Sequence, residues 1–395
     1  MALPASGTIS LSQVNVELAL ASTTAISMNQ ATVRTLFGVP SGAISMSNGY
    51  GKSSVPVFTT PALMNGSTGE ARMYSVAVNS AGLFVAVGGD FSGSVYATST
   101  NGSTWTTPAL MNGSTAGAAR MYSVAVNSAG LFVAVGSKLS APLYTPVYAT
   151  STNGSTWTTP ALMNGSTAGA SMYSVTVNSA GLFVAVGANS TNWPVYATST
   201  NGSTWTTPAL MNGSTYYASM TSVTVNSAGL FVAVGINPSS RPVYATSTNG
   251  STWTTPALMS GSTDEARMTS VTVNSAGLFV AVGYKLSAPA SAPVYATSTD
   301  GSTWTTPALM NGSTAAALML SVAVNTGGRF VAVGINQPSS SPVYATSTDG
   351  STWTTPALMN GSTAEARMAS VTVNSAGLFV AVGNDSSFRG LYART

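Results

Sequence analysis

The sequence predicts an all-β fold: a seven-bladed β-propeller of four-stranded antiparallel blades, closed by N- and C-terminal strands that share one blade. A small N-terminal segment with short helices precedes it. Three observations predict this. The phrase G-L-F-V-A-V-G, or a near copy, is centred on Phe84, Phe132, Phe183, Phe231, Phe279, Phe330 and Phe379, so that neighbours lie 48, 51, 48, 48, 51 and 49 residues apart. A regular period of roughly 40–50 residues marks a propeller or a solenoid. Each copy holds four strand-like runs separated by short turn signals, and the two ends of the array are complementary pieces of one further copy. The domains are therefore read as residues 1–54 and 55–395.

Residues 1–54 differ in texture from the rest. Ser10 with Gln13 and Ser27 with Gln30 have the S-x-x-Q spacing of a capping box, in which each side chain satisfies a backbone donor exposed at a helix start. Two short helices are expected, near Leu11–Leu20 and Met28–Phe37, with Gly38, Pro40 and Gly42 stopping the second. Helices this short are marginal alone, so the segment is read either as a cap for the propeller or as an anchor that docks on a larger assembly.

Within a repeat, Ser123–Asn127 reads as strand A and Leu131–Val135 as strand B, turned by Ser128-Ala129-Gly130. After a variable loop come strand C, Val147–Thr152, and strand D, Ser155–Leu162, joined at Asn153-Gly154. Asn-Gly between strand formers is a strong hairpin signal because both central residues take positive φ. Strand B is apolar on both faces, as expected of a sheet sandwiched between two neighbours. Residues 55–63 read as a lone strand D and Leu391–Thr395 as a lone strand C. Joined, they complete a blade and hide the edges that an open array would expose.

Composition removes whole classes of chemistry. The 395 residues contain neither Cys nor His, and 5% are charged against 44% hydrophobic. Thiolate and imidazole catalysis and the usual nitrogen or sulfur metal sites are thereby excluded, and neither metal nor cofactor is expected. A net charge of +3 spread over so few groups gives no basic face for nucleic acid. No apolar run reaches the roughly 20 residues that span a bilayer, and the first residues lack the pattern of a signal peptide.

Two resemblances follow from these motifs. The stretch G-T-I-S-L-S-Q-V-N-V-E-L, then A-T-V-R-T-L-F-G-V-P-S-G-A-I-S-M-S-N-G-Y-G-K-S, covering about residues 7–53, resembles N-terminal segments of virion structural proteins of tailed bacteriophages. It implies a virion protein attached through its N-terminus. Ser298–Trp304 and Ser347–Trp353 resemble the S-x-D-G-x-T-W Asp box of sialidase-like propellers, with Asp300 and Asp349 in place. The copies ending at Trp105, Trp157, Trp205 and Trp253 carry Asn instead; Trp304 and Trp353 end the two with Asp. In that family the box is a structural turn, so it implies fold rather than activity. Sialidases hold a carboxylate on an arginine cluster and also need an acid and a Tyr–Glu nucleophile pair, a set this sequence does not place; no catalytic residue is assigned.

The A–B and C–D turns barely change from copy to copy, whereas the D–A and B–C connections vary. Strand alternation puts the two variable connections on one face of the disc. Of the 21 charged residues, eight fall in D–A loops (Glu70, Arg72, Arg120, Asp264, Glu265, Arg267, Glu365, Arg367) and six in B–C loops (Asp90, Lys138, Arg241, Lys285, Asp385, Arg389). Phe91, Tyr144, Trp193, Tyr216, Tyr217, Tyr284 and Phe388 join them. Charged and aromatic loops on a rigid frame suit recognition, and exposed loops also carry charge for no other reason than solvation.

Arg72, Arg120, Arg267 and Arg367 each precede the Met that leads into an inner strand. Ring closure makes Arg367, Arg72 and Arg120 neighbours, a candidate anion site, unless Glu70, Glu265 and Glu365 simply pair with arginines two residues away. The ligand-binding candidates are these four arginines with Trp193, Tyr216, Tyr217 and Tyr284.

The functional expectation is a non-enzymatic virion protein of a tail fibre or tail tip. Residues 1–54 would bind other virion proteins, and the variable face would bind host-surface glycan or protein, with more than one copy per particle. The alternatives are a purely architectural virion component and a glycan hydrolase drawing two carboxylates from Glu70, Asp90, Asp264, Glu265, Glu365 and Asp385.

Overall fold

A computed structural model describes residues 3, 8–18, 23–37, 39, 41–49, 56–65, 69–112, 119–140, 143–165, 169–213, 217–260, 265–286, 291–312, 316–337, 339–362 and 365–395. The chain divides into two compact units, Met1–Val57 and Phe58–Thr395.

The first unit contains helices α1, Leu11–Glu17, and α2, Ala31–Phe37, and a short 3-10 turn at Met46–Gly49. The first capping box is reciprocal: the Ser10 amide donates to Gln13 Oε1 at 2.7 Å and the Gln13 amide to Ser10 Oγ at 3.1 Å. In the second, the Ser27 amide reaches Gln30 Oε1 at 3.1 Å, but Ser27 Oγ accepts from Asn29 instead of Gln30. Helix α2 accordingly starts at Ala31, three residues later than expected, and α1 ends at Glu17 instead of Leu20. Asn48 repeats the device for the third turn, accepting from the Ser45 amide at 2.7 Å. Ile9, Val14, Val33 and Phe37 form this unit's own core, with Ile26, Ile44 and Met46 packed on it. Gly42 lies in the left-handed region; Gly38 and Pro40, expected to stop α2, lie outside the described residues.

The second unit is seven four-stranded antiparallel sheets. We number them as blades one to seven and letter the strands A to D outwards. Blade one comprises Arg72–Val78, Phe84–Gly89, Ser94–Ser99 and Ala109–Leu110. Blade seven comprises Ala366–Val373, Phe379–Asp385, Gly390–Arg394 and, from the other end of the chain, Ala62–Leu63. Ala62 lies opposite Tyr392 and Leu63 opposite Leu391, while the Thr59 amide donates to the Arg394 carbonyl at 2.8 Å. The shared closing blade expected from the sequence is thus present, with Val55 outside the described residues.

Strand D is shorter than the sequence suggests: Ala161–Leu162 where Ser155–Leu162 was expected. The cause is side-chain competition with the ladder. The Thr150 amide donates to the Thr158 hydroxyl at 2.9 Å, and Pro160 has no amide to offer. The same Thr pair recurs in the other blades with a complete C–D hairpin, for example Thr98 with Thr106.

Strand B shows why a period-2 run is apolar on both faces. Phe84 and Ala86 pack with Val380 and Val382 of blade seven, whereas Val85 and Val87 pack with Met121 and Phe132 of blade two. One strand therefore serves two inter-blade cores. A belt of serines joins the inner strands: Val124 N–H donates to Ser75 Oγ at 3.2 Å, and the pattern passes from blade to blade until Val76 N–H meets Ser370 Oγ at 3.2 Å.

Each strand A carries a bulge directly after its Met, at Tyr74, Tyr122, Tyr173, Thr221, Thr269, Leu320 and Ala369. The Gly that ends each G-L-F-V-A-V-G phrase accommodates it. A Cβ on Gly136 would sit 1.8 Å from the Arg120 carbonyl oxygen.

The boxes are turns, but not with both central residues at positive φ as expected: Gly154 has φ +75°, whereas Asn153 and its counterparts are not in that region, because their side chains cap the turn instead. Asp300 Oδ1 accepts from the amides of Ser302 at 2.8 Å and Thr303 at 2.6 Å, and Asn101 does the same for Ser103 and Thr104 at 2.9 and 2.8 Å. Each box Trp is buried and donates its indole N–H to the box Gly carbonyl, as Trp157 does to Gly154 at 2.9 Å. A strand C Tyr of the preceding blade leans on that ring, giving the pairs Tyr96–Trp157, Tyr148–Trp205, Tyr196–Trp253, Tyr244–Trp304 and Tyr295–Trp353. Closure completes the series: Tyr392 meets Trp105, and Phe58 takes the Trp place against Tyr344.

The Thr303 amide holds the Asp300 carboxyl far below its ordinary range. For Asp349, burial pushes the carboxyl up, but amides and hydroxyls of Thr352, Ser351 and Ser347 pull it further down, to about 2. A group whose folded pKa is depressed stabilises the fold above its unfolded pKa of about 4, and that contribution is lost as pH falls through the folded value. The double variant D300N/D349N should match the parent in thermal unfolding at pH 7, since four blades already use Asn there. Between about pH 4 and pH 2 its melting temperature should fall less steeply than the parent's, by calorimetry; parallel curves would show that the carboxylates contribute nothing.

Candidate functional site

The two variable connections share a face, as the hydrogen bonds between them show. Ser386 N–H donates to the Glu365 carbonyl at 3.1 Å, Ala366 N–H to Ser340 at 2.7 Å, and Ala71 N–H to Phe388 at 2.8 Å. Each of these B–C loops is tied to D–A segments on the same side of the disc. On the opposite side the box turns meet the A–B turns: a Cβ on Gly102 would meet Val380 and Leu378 of the preceding blade.

Where blades six, seven and one meet on the loop face, a pocket of about 250 Å³ opens. Arg72 and Arg367 face it, with Glu365, Asn384, Asp385 and Phe388 around them. Arg367 is oriented by Asn384, whose Oδ1 accepts from Nε at 3.0 Å; Asn384 is in turn held by the Asp385 carbonyl at 2.8 Å. Burial lowers the pKa of Arg367, the Tyr74 hydroxyl raises it and the Arg72 charge lowers it further. The Arg72 guanidinium carbon stands 3.6 Å from the centre of the Phe388 ring. Asp385 is committed elsewhere: its Oδ2 is 2.7 Å from both Nε and Nη2 of Arg389, and Oδ1 takes the Arg389 amide.

Phe388 occupies the left-handed region, φ +61°, at the turn position where other blades have Asn192, Ser240 and Ser340. Asn and Ser tolerate that conformation; a bulky ring is strained there, and strain of this kind gathers at binding sites. Its sequence signal was a lone aromatic in a variable loop.

Of the sequence candidates, Arg72 and Arg367 come together. Arg120, expected as the third member, does not line this pocket: its stem lies over Gly89, where a Cβ would be 2.7 Å from Arg120 Cγ. Arg267 sits apart in blade five, its guanidinium carbon 5.9 Å from the Tyr284 ring and Nη2 3.5 Å from Ser240 Oγ. Among the described residues none of Glu70, Glu265 and Glu365 is ion-paired with the arginine two residues on, whereas Arg389 pairs with Asp385. Trp193 and Tyr217 form an edge-on pair at 6.4 Å on blades three and four, with Tyr217 54% exposed. Tyr216 and Asp264 lie outside the described residues. Among the described residues no group of acidic side chains could hold a metal ion, and no helix is long and apolar enough to cross a membrane.

Residues that sequence reasoning missed are Asn384, which orients Arg367, and the bulge tyrosines Tyr74, Tyr122 and Tyr173. The latter had a signal: inside the otherwise repeated M-x-S-V frame, x reads Tyr, Tyr, Tyr, Thr, Thr, Leu, Ala around the ring.

Residues 55–280 match the model of a BNR repeat-like domain. No curated protein matches the chain. Among solved structures, YCF48 from Cyanidioschyzon merolae is similar over 86% of this chain and 98% of its own, with TM-score 0.58 and 15% identity. The BP39L lectin from Burkholderia pseudomallei is similar over 82% and 96%, with TM-score 0.60 and 12% identity. The Hadza microbial sialidase Hz136 is similar over 69% and 64%, with TM-score 0.50 and 15% identity. Identities this low carry the fold alone.

Proposed function

Because the chain belongs to the family of BNR repeat-like domains, we propose that its propeller is a non-catalytic recognition head whose loop face binds acidic glycan on a host cell surface. The observation that carries this reading is the pocket of Arg72 and Arg367. Two guanidinium groups share it, one of them held by an amide oxygen, with no carboxylate ion-paired to either among the described residues. Arginine pairs of this kind suit a planar or tetrahedral anion, and Phe388 offers a face to a sugar ring. A lectin with a similar fold lends the reading support.

The proposal extends to setting. Residues 7–53 resemble phage virion segments, and on that resemblance the setting proposed is a tail fibre or tail tip, with attachment to other virion proteins through residues 1–54. The test is binding of the full chain to host cells, competed by soluble envelope polysaccharide, with R367A expected to weaken it at least tenfold. Absence of binding at micromolar concentration would favour an architectural virion component. Detection in purified particles, lost when residues 1–54 are deleted, tests the anchor.

A hydrolase reading would need two carboxylates working on one substrate. Of the two at the pocket, Asp385 is gripped by Arg389, leaving Glu365. Release of sugar from host envelope material, abolished in E365Q, would replace binding by hydrolysis.

A further inference from the structure

The inner strands form a frame of repeated residues with one chemically varied position, the bulge. Its neighbours Met73 and Val76 are buried between blades, whereas Tyr74 at the bulge is partly exposed. A bulge breaks the strict in-and-out alternation of a strand and re-aims a side chain, which is why bulges gather beside functional sites. Tyr74, Tyr122 and Tyr173 thereby meet across consecutive blades, with ring centres 5.8 and 5.9 Å apart. The hydroxyl of Tyr122 accepts from Ser137 Oγ at 3.3 Å, at the root of a B–C loop, so the ring reaches towards the loop face.

The rest of the bulge ring is chemically different. Thr221 and Thr269 donate at 2.7 Å to the Met carbonyl of the following blade, and Leu320 and Ala369 are apolar. The arc is therefore aromatic on one side only, and that side begins beside Arg367, just outside the residues that line the pocket. The Arg367 guanidinium carbon is 6.0 Å from the centre of the Tyr74 ring, and Arg72 precedes Tyr74 by two residues on the same strand.

We infer that Tyr74, Tyr122 and Tyr173 form a second subsite continuous with the arginine pocket, taking the next ring of an acidic oligosaccharide whose charged residue lies on Arg72 and Arg367. This rests on the glycan reading above and adds to it a ligand of at least two sugar rings and the residues that measure its length. Tyrosine suits the task because its face packs against the C–H face of a pyranose while its hydroxyl exchanges hydrogen bonds with sugar hydroxyls. The acidic group can be a carboxylate, sulfate or phosphate, since a guanidinium binds all three.

The test measures affinities of uronic-acid oligosaccharides of one to four residues for the full chain by calorimetry, with sulfated and phosphorylated sugars of the same lengths in parallel. Between one and two residues affinity should rise about tenfold, equivalent to about 1.4 kcal/mol. Y122T installs the side-chain type that blades four and five already accommodate; it should fold, bind the monosaccharide as the parent does and lose the gain with length. R367A should weaken every length alike. A gain that survives in Y122T, or no gain in the parent, would overturn the inference and reduce the arc to packing, with the arginine pocket intact. No binding of any acidic sugar, of any length, at millimolar concentration would overturn the pocket itself and the inference with it.

Discussion

A chain lacking residues 1–65 is expected to lose cooperative folding, whereas one lacking residues 1–55 should melt as the full propeller does. The difference is ten residues that carry the outer strand of blade seven. They place Phe58 and Met64, both buried, into two different inter-blade cores: Phe58 with Met359, Met368 and Leu391, and Met64 with Met73 and Phe84. Losing two large buried side chains costs on the order of 5–10 kcal/mol, comparable with the whole stability of an ordinary domain. It also bares the edge of Gly390–Arg394, which invites aggregation. The single variant F58A should cost about 3–5 kcal/mol, read by denaturant unfolding. Phe58 stands here where other blades have the box Trp, and it packs on Tyr344 as those tryptophans pack on theirs. If both truncations melt alike, the ring does not depend on this closure.

Gly136→Ala should be among the most damaging single substitutions in the chain. The added Cβ would lie 1.8 Å from the Arg120 oxygen, 2.8 Å from its carbonyl carbon and 2.9 Å from Met121 Cα, all of them backbone atoms that no rotamer change can move. Relief requires opening the bulge at Tyr122, and with it the Ser75–Val124 link to blade one. We expect about 3–5 kcal/mol. Gly130→Ala provides the contrast: its φ is +84° but nothing lies within 4 Å, so only left-handed strain of about 1–2 kcal/mol applies. Equal losses for the two variants would mean that the bulge does not need the close approach.

Blade number, the box turns and the shared closing blade were all legible in the sequence. Each is a local pattern: a phrase recurring after Phe84 through Phe379, an Asx-Gly turn before a Trp, and two half-blades at the ends. The division of the disc into a constant and a varied face was legible too, because it follows from strand alternation alone. Strand D was overestimated because the Thr150–Thr158 side-chain bond and Pro160 act against the ladder, and neither leaves a mark on β propensity.

The grouping of the arginines was decided elsewhere. Arg72, Arg120, Arg267 and Arg367 hold the same place in the repeat, yet Arg72 and Arg367 share a pocket that Arg120 and Arg267 do not line, because their neighbours differ: Gly89 admits the stem of Arg120, while Asn384 and Phe388 hold the other two. In the same way a strand pattern has two faces and no third, so the turn of Tyr74, Tyr122 and Tyr173 out of the packed interfaces exists only once the bulges form. The sequence by itself determined the repeating frame, since hydrophobic period and turn chemistry are properties of neighbours along the chain. Only the closed ring decided which side chains meet, since those contacts join residues as far apart as Arg72 and Phe388.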